Sequence, residues 1–404
     1  MSGIRVNEWL HNSGTGGIWQ SSAGNVGIAS SVPTTKLEVT GDAKISGITT
    51  AEAFVPTVGQ LSHRNLIING AMQVAQRGTV TSVTTSSYGG PDRWKAARAD
   101  IPGIWQLSQQ ESAPSGSGFS HCLEHKVTTA NGTLDAGDEG CITYSFEGKD
   151  LTQVKKGTAS AEQLTLSFWC RTGTSGTYIA ELYDTDNNRQ VSKSFTHAGS
   201  DGWEKKEITF PADTTGAFTY DNNESLAVRI WYAAGTTWTS GTLNTTWASS
   251  TDANRAVGCT NLSATLNNYF RLTGVQLEVG SVATPFEHRS YGDELLRCQR
   301  YYWRKIGTQW AHAGFGLMAS TTQVRAFVQF PVTMRAAPTL SGSGMYVDSE
   351  TTGTFDITAF TSTYLYNSGG QARMTTDTAS FGAGTAVNIG LESTTAYFAG
   401  DAEF

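Results

Sequence analysis

Apolar and polar residues alternate over most of the chain, which predicts strands. Examples are QLTLSFWC, beginning at Gln163, and LAVRIWY, beginning at Leu226. Gly-, Asn- and Asp-rich turns such as GTSG, DNN and GSDG separate such runs. This spacing over residues 63–290 predicts a two-sheet antiparallel sandwich, a jelly roll with long loops. We therefore expect a mostly β protein.

The runs of apolar residues are shorter near the start of the chain. Apolar residues between Val26 and Ile48 form runs of three or four, interrupted by Gly and Pro. Strands this short cannot bury an apolar face within one chain, and they leave unpaired edges. A homotrimer would cover those edges, so residues 23–62 are predicted to form a trimerising β shaft. Residues 1–22, with Trp9, Ile18 and Trp19 as their main apolar side chains, are predicted to be an anchoring peptide that becomes ordered against another molecule.

A helix is predicted after the sandwich. Ser290 suits the N-cap, Asp293 and Glu294 suit the first turn, and Leu295, Leu296 and Cys298 are expected to form its buried stripe. Apolar and polar residues then alternate again, for instance in VRAFVQF from Val324. Residues 291–404 are therefore predicted to be a short connector helix and a smaller C-terminal β domain.

Composition excludes several classes of function. The formal charge is -7, and no run of Lys or Arg exceeds two residues, which disfavours nucleic acid as a partner. No stretch approaches the roughly 20 apolar residues of a membrane span, and the start lacks the pattern of a secretory signal. We expect a chain made in the cytoplasm, without membrane insertion. The five cysteines lack a CxxC spacing and are expected to be reduced packing residues.

Three segments carry resemblances to known families. NVGIASSVPTTKLEVTGDAKISG, from Asn25, resembles the shaft segments of bacteriophage tail fibres. NLIINGAM, GWEKKEITF and NNYFRLTGVQLEVG resemble jelly-roll carbohydrate-binding modules and the jelly-roll domains of phage fibre proteins. LLRCQRYYWR, FPVTMRAAPTL and the final DAEF resemble C-terminal domains of phage tail proteins. The resemblance implies a virion fibre, and its jelly roll permits a sugar ligand without requiring one.

Two strings contain candidate metal ligands. His121 and His125 of HCLEH would share a face of a helix, but the string leads into a strand-like run, which favours histidines that flank Leu123. Asp184 begins a D-x-D-x-N string that departs from the EF-hand pattern at Arg189 and Phe195. We expect a turn there, with a structural calcium ion as the alternative. No metal, cofactor or catalytic residue is predicted.

Aromatic residues give the main ligand-binding hypothesis. Trp238 and Trp247 lie in a segment rich in Gly, Thr and Ser. The face of an indole ring can stack on the C–H face of a sugar. Asn244 and Ser240 would add hydrogen bonds. The alternative is that both tryptophans pack under a loop or at a subunit contact. Trp94, Trp169 and Trp203 lie in segments with a strand-like pattern and are expected in the core.

The sequence thus favours a phage tail fibre that is structural and binds a host surface polysaccharide as a homotrimer. Its N-terminus would contact other tail or capsid proteins of the virion. A capsid-attached fibre or decoration protein is one alternative. The other is a depolymerase that cleaves glycan with two carboxylates. No regular repeat of a long β-helix is visible, so we expect a non-enzymatic protein.

Overall fold

The structure is a computed structural model that describes residues 8–10, 17–40, 43, 62–96, 100–349, 352–379 and 381–404. The chain divides into two compact units, Met1–Pro56 and Thr57–Phe404. The described residues confirm a mostly β protein with antiparallel sheets and few helices. No helix among them is long and apolar enough to cross a membrane.

The first unit contains one sheet of four short strands. They are β1 (Glu8–Leu10), β2 (Gly17–Gln20), β3 (Val26–Ile28) and β4 (Leu37–Val39). Trp9 on β1 is paired with Ile18 on β2, which is 45% exposed, and Trp19 is half-buried. The three-residue strands β3 and β4 agree with the predicted strand length, and Ile45 and Ile48 lie outside the described residues. The anchoring peptide, the trimer and the domain boundaries remain predictions.

The second unit begins with a sandwich of two six-stranded sheets, which confirms the predicted jelly-roll architecture. The first sheet has the order β13 (Trp203–Phe210), β10 (Leu164–Arg171), β16 (Tyr269–Val279), β8 (Cys122–Thr129), β7 (Ile104–Gln110) and β5 (Val80–Val83). The second sheet has the order β15 (Ala248–Ser249), β12 (Arg189–His197), β11 (Gly176–Asp184), β14 (Glu224–Ala234), β9 (Glu139–Glu147) and β6 (Lys95–Ala96).

Alternation along the strands fills the core between these sheets. On β10, for example, Leu166 and Phe168 are fully buried, and the Phe168 ring meets Phe195 of the second sheet. The inward face is apolar because every second residue is apolar. Long connections contribute helix α1 (Thr236–Thr239) and short 3-10 segments at Gly148–Val154, Asp252–Asn254 and Leu262–Ala264. The five cysteines are free, and all except the half-buried Cys259 are buried.

Helix α2 (Tyr291–Gln299) follows the sandwich at the predicted position. The Ser290 side chain accepts a hydrogen bond from the Asp293 amide, so the predicted N-cap is confirmed. The predicted buried stripe was wrong in part. Cys298 is buried, but Leu296 is 47% exposed and Leu295 is only partly buried. Glu294 takes the second buried position because its carboxylate accepts the Asn69 amide of the sandwich.

The remaining residues form the predicted smaller β domain. A three-stranded sheet has the order β17 (Tyr302–Ile306), β25 (Tyr397–Asp401) and β20 (Thr339–Ser343). A closed barrel has the order β18 (Ala311–Met318), β19 (Gln323–Gln329), β23 (Gly369–Thr376), β22 (Thr352–Tyr366), β21 (Met345–Ser349) and β24 (Ala386–Leu391). The barrel has its own apolar core.

Candidate functional site

Trp238 lies on α1, above the outward face of the second sheet. Its ring packs 5.5 Å from the Trp231 ring and beneath the Arg255 guanidinium, and its indole N–H donates to the Gly137 carbonyl. The ring is half-buried. Ser240, at the end of the same helix, is exposed. Trp238 therefore has a packing role, and its predicted contact with a glycan remains a prediction.

Trp247 lies against different neighbours. Its indole N–H donates to the Pro211 carbonyl at 2.9 Å, and the Lys156 ammonium is 5.2 Å from its ring centroid. Asn244 is bonded within the same long connection, since its carbonyl accepts the Ser192 amide of β12. The four residues predicted to bind glycan are thus engaged in local contacts. Their role in binding stays a prediction.

His125 of HCLEH lies within β8 and His121 directly precedes it, which agrees with the strand interpretation. His125 is fully buried, and its Nδ1 lies 3.1 Å from the Tyr232 hydroxyl, while Nε2 has no partner among the described residues. Burial lowers the pKa of His125 to about 3. The described residues hold no group of three His, Cys, Asp or Glu side chains arranged for a metal ion.

Asp184 begins a turn between β11 and β12, which agrees with the turn predicted there. Its Oδ1 accepts the Asn187 amide, three residues on, at 3.0 Å. Its Oδ2 accepts a hydrogen bond from the Lys156 ammonium at 2.5 Å. The ammonium of Lys156 therefore occupies the position in which the alternative hypothesis placed a calcium ion.

The expectation that three strand tryptophans are core residues was right only for Trp94, which is 1% exposed. Trp169 and Trp203 are half-buried on the outward face of the first sheet. On β10 the inward residues are Leu164, Leu166, Phe168 and Cys170. Trp169 has the opposite parity and must point outward. On β13, Trp203 shares its parity with Lys205 and Glu207, both of which are exposed.

Five outward side chains form a row across the first sheet, called here the cross-strand row. Register places Trp203 opposite Arg171, Arg171 opposite Arg271, Arg271 opposite Glu124, and Glu124 opposite Ser108. Direct cross-strand partners lie on one face with Cβ atoms about 5 Å apart. The row therefore crosses five adjacent strands, from β13 to β7.

Ion pairs fix the charged members of the row. The Arg271 guanidinium donates to Oε2 of Glu124 through Nε at 2.7 Å and lies 2.6 Å from it through Nη2. The Arg171 guanidinium binds both carboxylate oxygens of Asp201, at 3.1 and 3.0 Å. That hydrogen bond is the largest influence that lowers the pKa of Asp201. Asp201 is therefore ionised at neutral pH, and both carboxylates are held in place by their guanidinium partners.

Exposure increases along the row toward β13. The Glu124 side chain is 5% exposed, Arg271 is 20% exposed and Arg171 is 25% exposed. Trp169 lies diagonally beside Trp203, since it is paired with Lys205. A β-bulge beside Trp169 places Gly274 at a φ of +60°, and a side chain at Gly274 would collide with the Phe119 ring. The bulge thus lets two aromatic rings pack against the backbone of β16.

This arrangement suits a ligand with both hydroxyl groups and a flat apolar face. Each guanidinium has five N–H donors in a plane, and its carboxylate partner takes only some of them. An indole face can stack on the C–H face of a sugar ring. The sequence analysis missed the row because it placed Trp203 in the core. The parity of W-E-K-K-E-I-T-F would have identified the outward face.

No family model and no curated protein matches this sequence. Solved structures with similar folds include the tailspike protein 4 enzymatically active domain of bacteriophage CBA120. That alignment has 11% identity and a TM-score of 0.29, covering 53% of this chain and 21% of the tailspike chain.

Two carbohydrate-binding modules show comparable likeness. The CBM22-1 xylan-binding domain of Paenibacillus barcinonensis Xyn10C has 12% identity and a TM-score of 0.26, covering 52% of this chain and 100% of that one. The family 11 module of Clostridium thermocellum, solved with a β-1,3-1,4-mixed-linked tetrasaccharide, has 14% identity and a TM-score of 0.26, covering 51% and 98%. Similarities with identities and TM-scores this low carry no argument about this chain.

Proposed function

We propose that this chain is a bacteriophage virion fibre protein that binds a host surface glycan through the outward face of its first sheet. It acts as a homotrimer and does not cleave its ligand. The glycan part of the proposal rests on the cross-strand row, where the half-buried Trp203 adjoins two partly exposed arginines held by carboxylates. The fibre part rests on the shaft-like segment that begins at Asn25.

The pairing of the carboxylates supports binding without cleavage. A glycosidase needs one carboxyl group that stays protonated near neutral pH and a second that is ionised. Around the row, Glu124 is held by Arg271, and the pKa of Asp201 is lowered. Glu207 is paired with Lys205 at 2.7 Å. A site of this kind can hold a saccharide through charge-assisted hydrogen bonds.

The test compares Trp203→Ala with Tyr220→Ala in binding to purified host polysaccharide. Tyr220 is 70% exposed but lies in the connection between β13 and β14, away from the row in sequence. Loss of a stacking ring should cost about 1–3 kcal/mol of binding, by analogy with aromatic stacking on flat ligands. Tyr220→Ala should bind as the parent does. Equal affinity for both variants and the parent would exclude the row as the site.

Release of reducing ends separates binding from depolymerisation. We expect none above background when the full-length chain is incubated with the polysaccharide it binds. Release that disappears in a Glu124→Gln variant would establish the enzymatic alternative. Labelling the chain on intact particles and imaging them would distinguish a tail fibre from a capsid-attached fibre.

A further inference from the structure

The C-terminal barrel carries an apolar and basic surface on β18, β19 and β23. Phe315 and Phe327 are each 74% exposed, and Leu317 is 51% exposed. Gly316 is paired with Ala326, so continuing the antiparallel register by one residue places Phe315 opposite Phe327. Two large apolar rings side by side on an open sheet face are typical of a contact surface.

Two arginines lie in the next row of the same surface. Arg325 is directly opposite Arg373 on β23 and opposite Leu317 on β18. Like charges in this position destabilise a sheet. Neither arginine forms an ion pair with a residue that the structure describes, and Nε of Arg373 is buried without a partner among them. Phe315, Leu317, Phe327, Arg325 and Arg373 are called the basic face.

Another part of the barrel has the opposite charge. Asp356 on β22 is exposed and paired with Tyr346, Asp348 lies on β21, and Glu392 directly follows β24. Burial raises the pKa of Glu392, as do a hydrogen bond with Asp356 and the charge of Asp356. Oδ1 of Asp348 has no hydrogen-bond partner among the described residues. Asp348, Asp356 and Glu392 are called the acidic face.

The strand order separates the two faces within one chain. In the closed order β18-β19-β23-β22-β21-β24, two strands lie between Arg325 on β19 and Asp348 on β21 in either direction. Arg373 on β23 adjoins β22, but it is opposite Thr361, whereas Ile357, the neighbour of Asp356, is opposite Thr376. Neither arginine therefore forms an ion pair with the acidic face of its own barrel. A second barrel can present that face to them.

We propose that the basic face of one barrel docks on the acidic face of the barrel in the next copy of the chain. This inference rests on the homotrimer in the proposed function. A contact between two different faces is heterologous, and it closes into a ring when each copy is rotated by the same amount. The docked contact covers the exposed phenylalanines. It also provides carboxylate partners for Arg325 and Arg373. An acidic glycan would neutralise the arginines but would leave the acidic face without a partner.

The size of the basic face makes the contact dependent on the rest of the fibre. A phenylalanine offers on the order of 150–250 Å², so these three apolar side chains expose on the order of 400 Å². A stable free interface buries about 800 Å² on each partner. Chains already joined elsewhere meet at a high effective concentration, which allows a smaller contact to form.

Hydroxyl-radical footprinting of the full-length chain tests the docking directly. Oxidation of Phe315 and Phe327 is measured for the parent and for three charge variants: Arg325→Glu with Arg373→Glu, Asp356→Arg with Glu392→Arg, and all four changes together. Tyr220 is the internal control because it is 70% exposed and lies on the sandwich. Sedimentation and urea unfolding accompany each measurement.

We expect both phenylalanines to oxidise about threefold or more faster in each double variant than in the parent, since interface cores are shielded from solvent. Tyr220 should not change. The quadruple variant should recover the protection because its charges are again complementary, a rescue that a destabilised barrel would not show.

Three results would overturn the docking. In the first, sedimentation shows a trimer but the phenylalanines oxidise equally in all four proteins. In the second, the quadruple variant stays unprotected. In the third, protection appears only when polygalacturonate is added, which identifies an acidic glycan as the occupant. A parent chain that is monomeric at every concentration would instead refute the homotrimer, and the docking with it.

Discussion

The ammonium of Lys156 lies 2.5 Å from Oδ2 of Asp184 and 3.1 Å from Oδ2 of Asp213. It also donates to the carbonyls of Thr215 and Gly216, at 2.9 and 2.7 Å. Four oxygen atoms thus surround one buried cation. Oxygen atoms of these kinds are also the ligands of Ca²⁺, so the side chain of Lys156 occupies a place that a metal ion could take.

We expect Lys156→Ala to lower the free energy of unfolding by about 3–5 kcal/mol, because it leaves the buried carboxylate of Asp184 without its cationic partner, whereas Asp213 keeps Arg189. Millimolar Ca²⁺ should restore part of that loss by binding the freed oxygens. The matched control is Lys155→Ala, whose ammonium pairs at the surface with Glu162 and should contribute little. Urea unfolding with and without CaCl2 measures both effects.

The parent chain should have the same melting temperature in EDTA and in buffer, since Lys156 supplies the charge. A steep decrease in EDTA would show that an ion is bound elsewhere. Equal stability of Lys156→Ala and Lys155→Ala would contradict the role assigned to the buried lysine.

His125 should make the protein sensitive to mild acid. Burial lowers its pKa in the folded state to about 3, from an ordinary value of 6.5. Between these values the unfolded chain binds a proton that the folded chain does not. Stability is therefore lost as pH falls below 6.5, by about 1.4 kcal/mol per pH unit.

A His125→Leu variant should lack this contribution, although losing the bond to Tyr232 lowers its stability at every pH. The measurement is the difference in unfolding free energy between parent and variant from pH 7 to pH 4.5. His121→Leu, which changes the half-buried histidine of the same string, serves as control. A constant difference between parent and His125→Leu would show that His125 is solvated.

Trp238→Ala and Trp247→Ala should reduce stability more than a surface substitution, which changes it by about 0.5 kcal/mol or less. Each indole N–H is bonded to a backbone carbonyl, and each ring packs against the core. Because the rings are half-buried, the loss should be below the roughly 3–5 kcal/mol of a fully buried tryptophan. Thermal melts and polysaccharide binding are measured together.

The same experiment tests the sequence-based hypothesis for these tryptophans. A variant that melts normally but binds polysaccharide weakly would support the glycan contact predicted for Trp238 and Trp247. In that case Trp203 would lose its place as the favoured stacking residue.

Deletion of residues 1–62 should abolish or weaken trimer formation, because β1 and β4 are each paired on one side only among the described strands, and Ile28 and Leu37 of this sheet are exposed. Sedimentation velocity of the full-length and deleted chains at equal concentration gives the answer. An undiminished trimer after the deletion would assign assembly to the second unit.

Local patterns in the sequence predicted the sandwich and the connector helix because both depend on short-range rules. Ser290 caps α2 through a bond to the residue three positions ahead, and strand parity needs only neighbouring residues. The cross-strand row could not be predicted in the same way. It depends on which strands adjoin, and β8 meets β16 from a distant part of the sequence.

The error at Trp203 has a different cause. Tryptophan is large and apolar, so its type favoured the core, whereas its position among Lys205 and Glu207 indicated the outward face. The exposure of Leu296 is determined by a tertiary contact of its helix. Glu294 binds the Asn69 amide of the sandwich and orients the helix so that Leu296 faces solvent. Closure of the barrel through the pairing of β18 with β24 likewise has no local signal.

Residues 401–404 join the C-terminal domain to the sandwich through Glu403. Its carboxylate binds the Arg93 guanidinium, which is 1% exposed and lies 3.3 Å from the centroid of the Tyr301 ring. Oε1 of Glu403 is also 3.4 Å from the Arg77 guanidinium. The pair is therefore buried between the two β domains, where a lone guanidinium would be costly.

Glu403→Gln should lower the free energy of unfolding by about 3–5 kcal/mol, because it leaves Arg93 buried without its carboxylate. Replacing both partners, as in Arg93→Met with Glu403→Met, should recover most of that loss, since apolar residues of similar volume need no counter-charge. Glu162→Gln is the control, because its pair with Lys155 is exposed. If the double variant is no more stable than Glu403→Gln in urea unfolding, the shape of the contact and the packing of Arg93 on Tyr301 hold the domains together, and the charge pair does not.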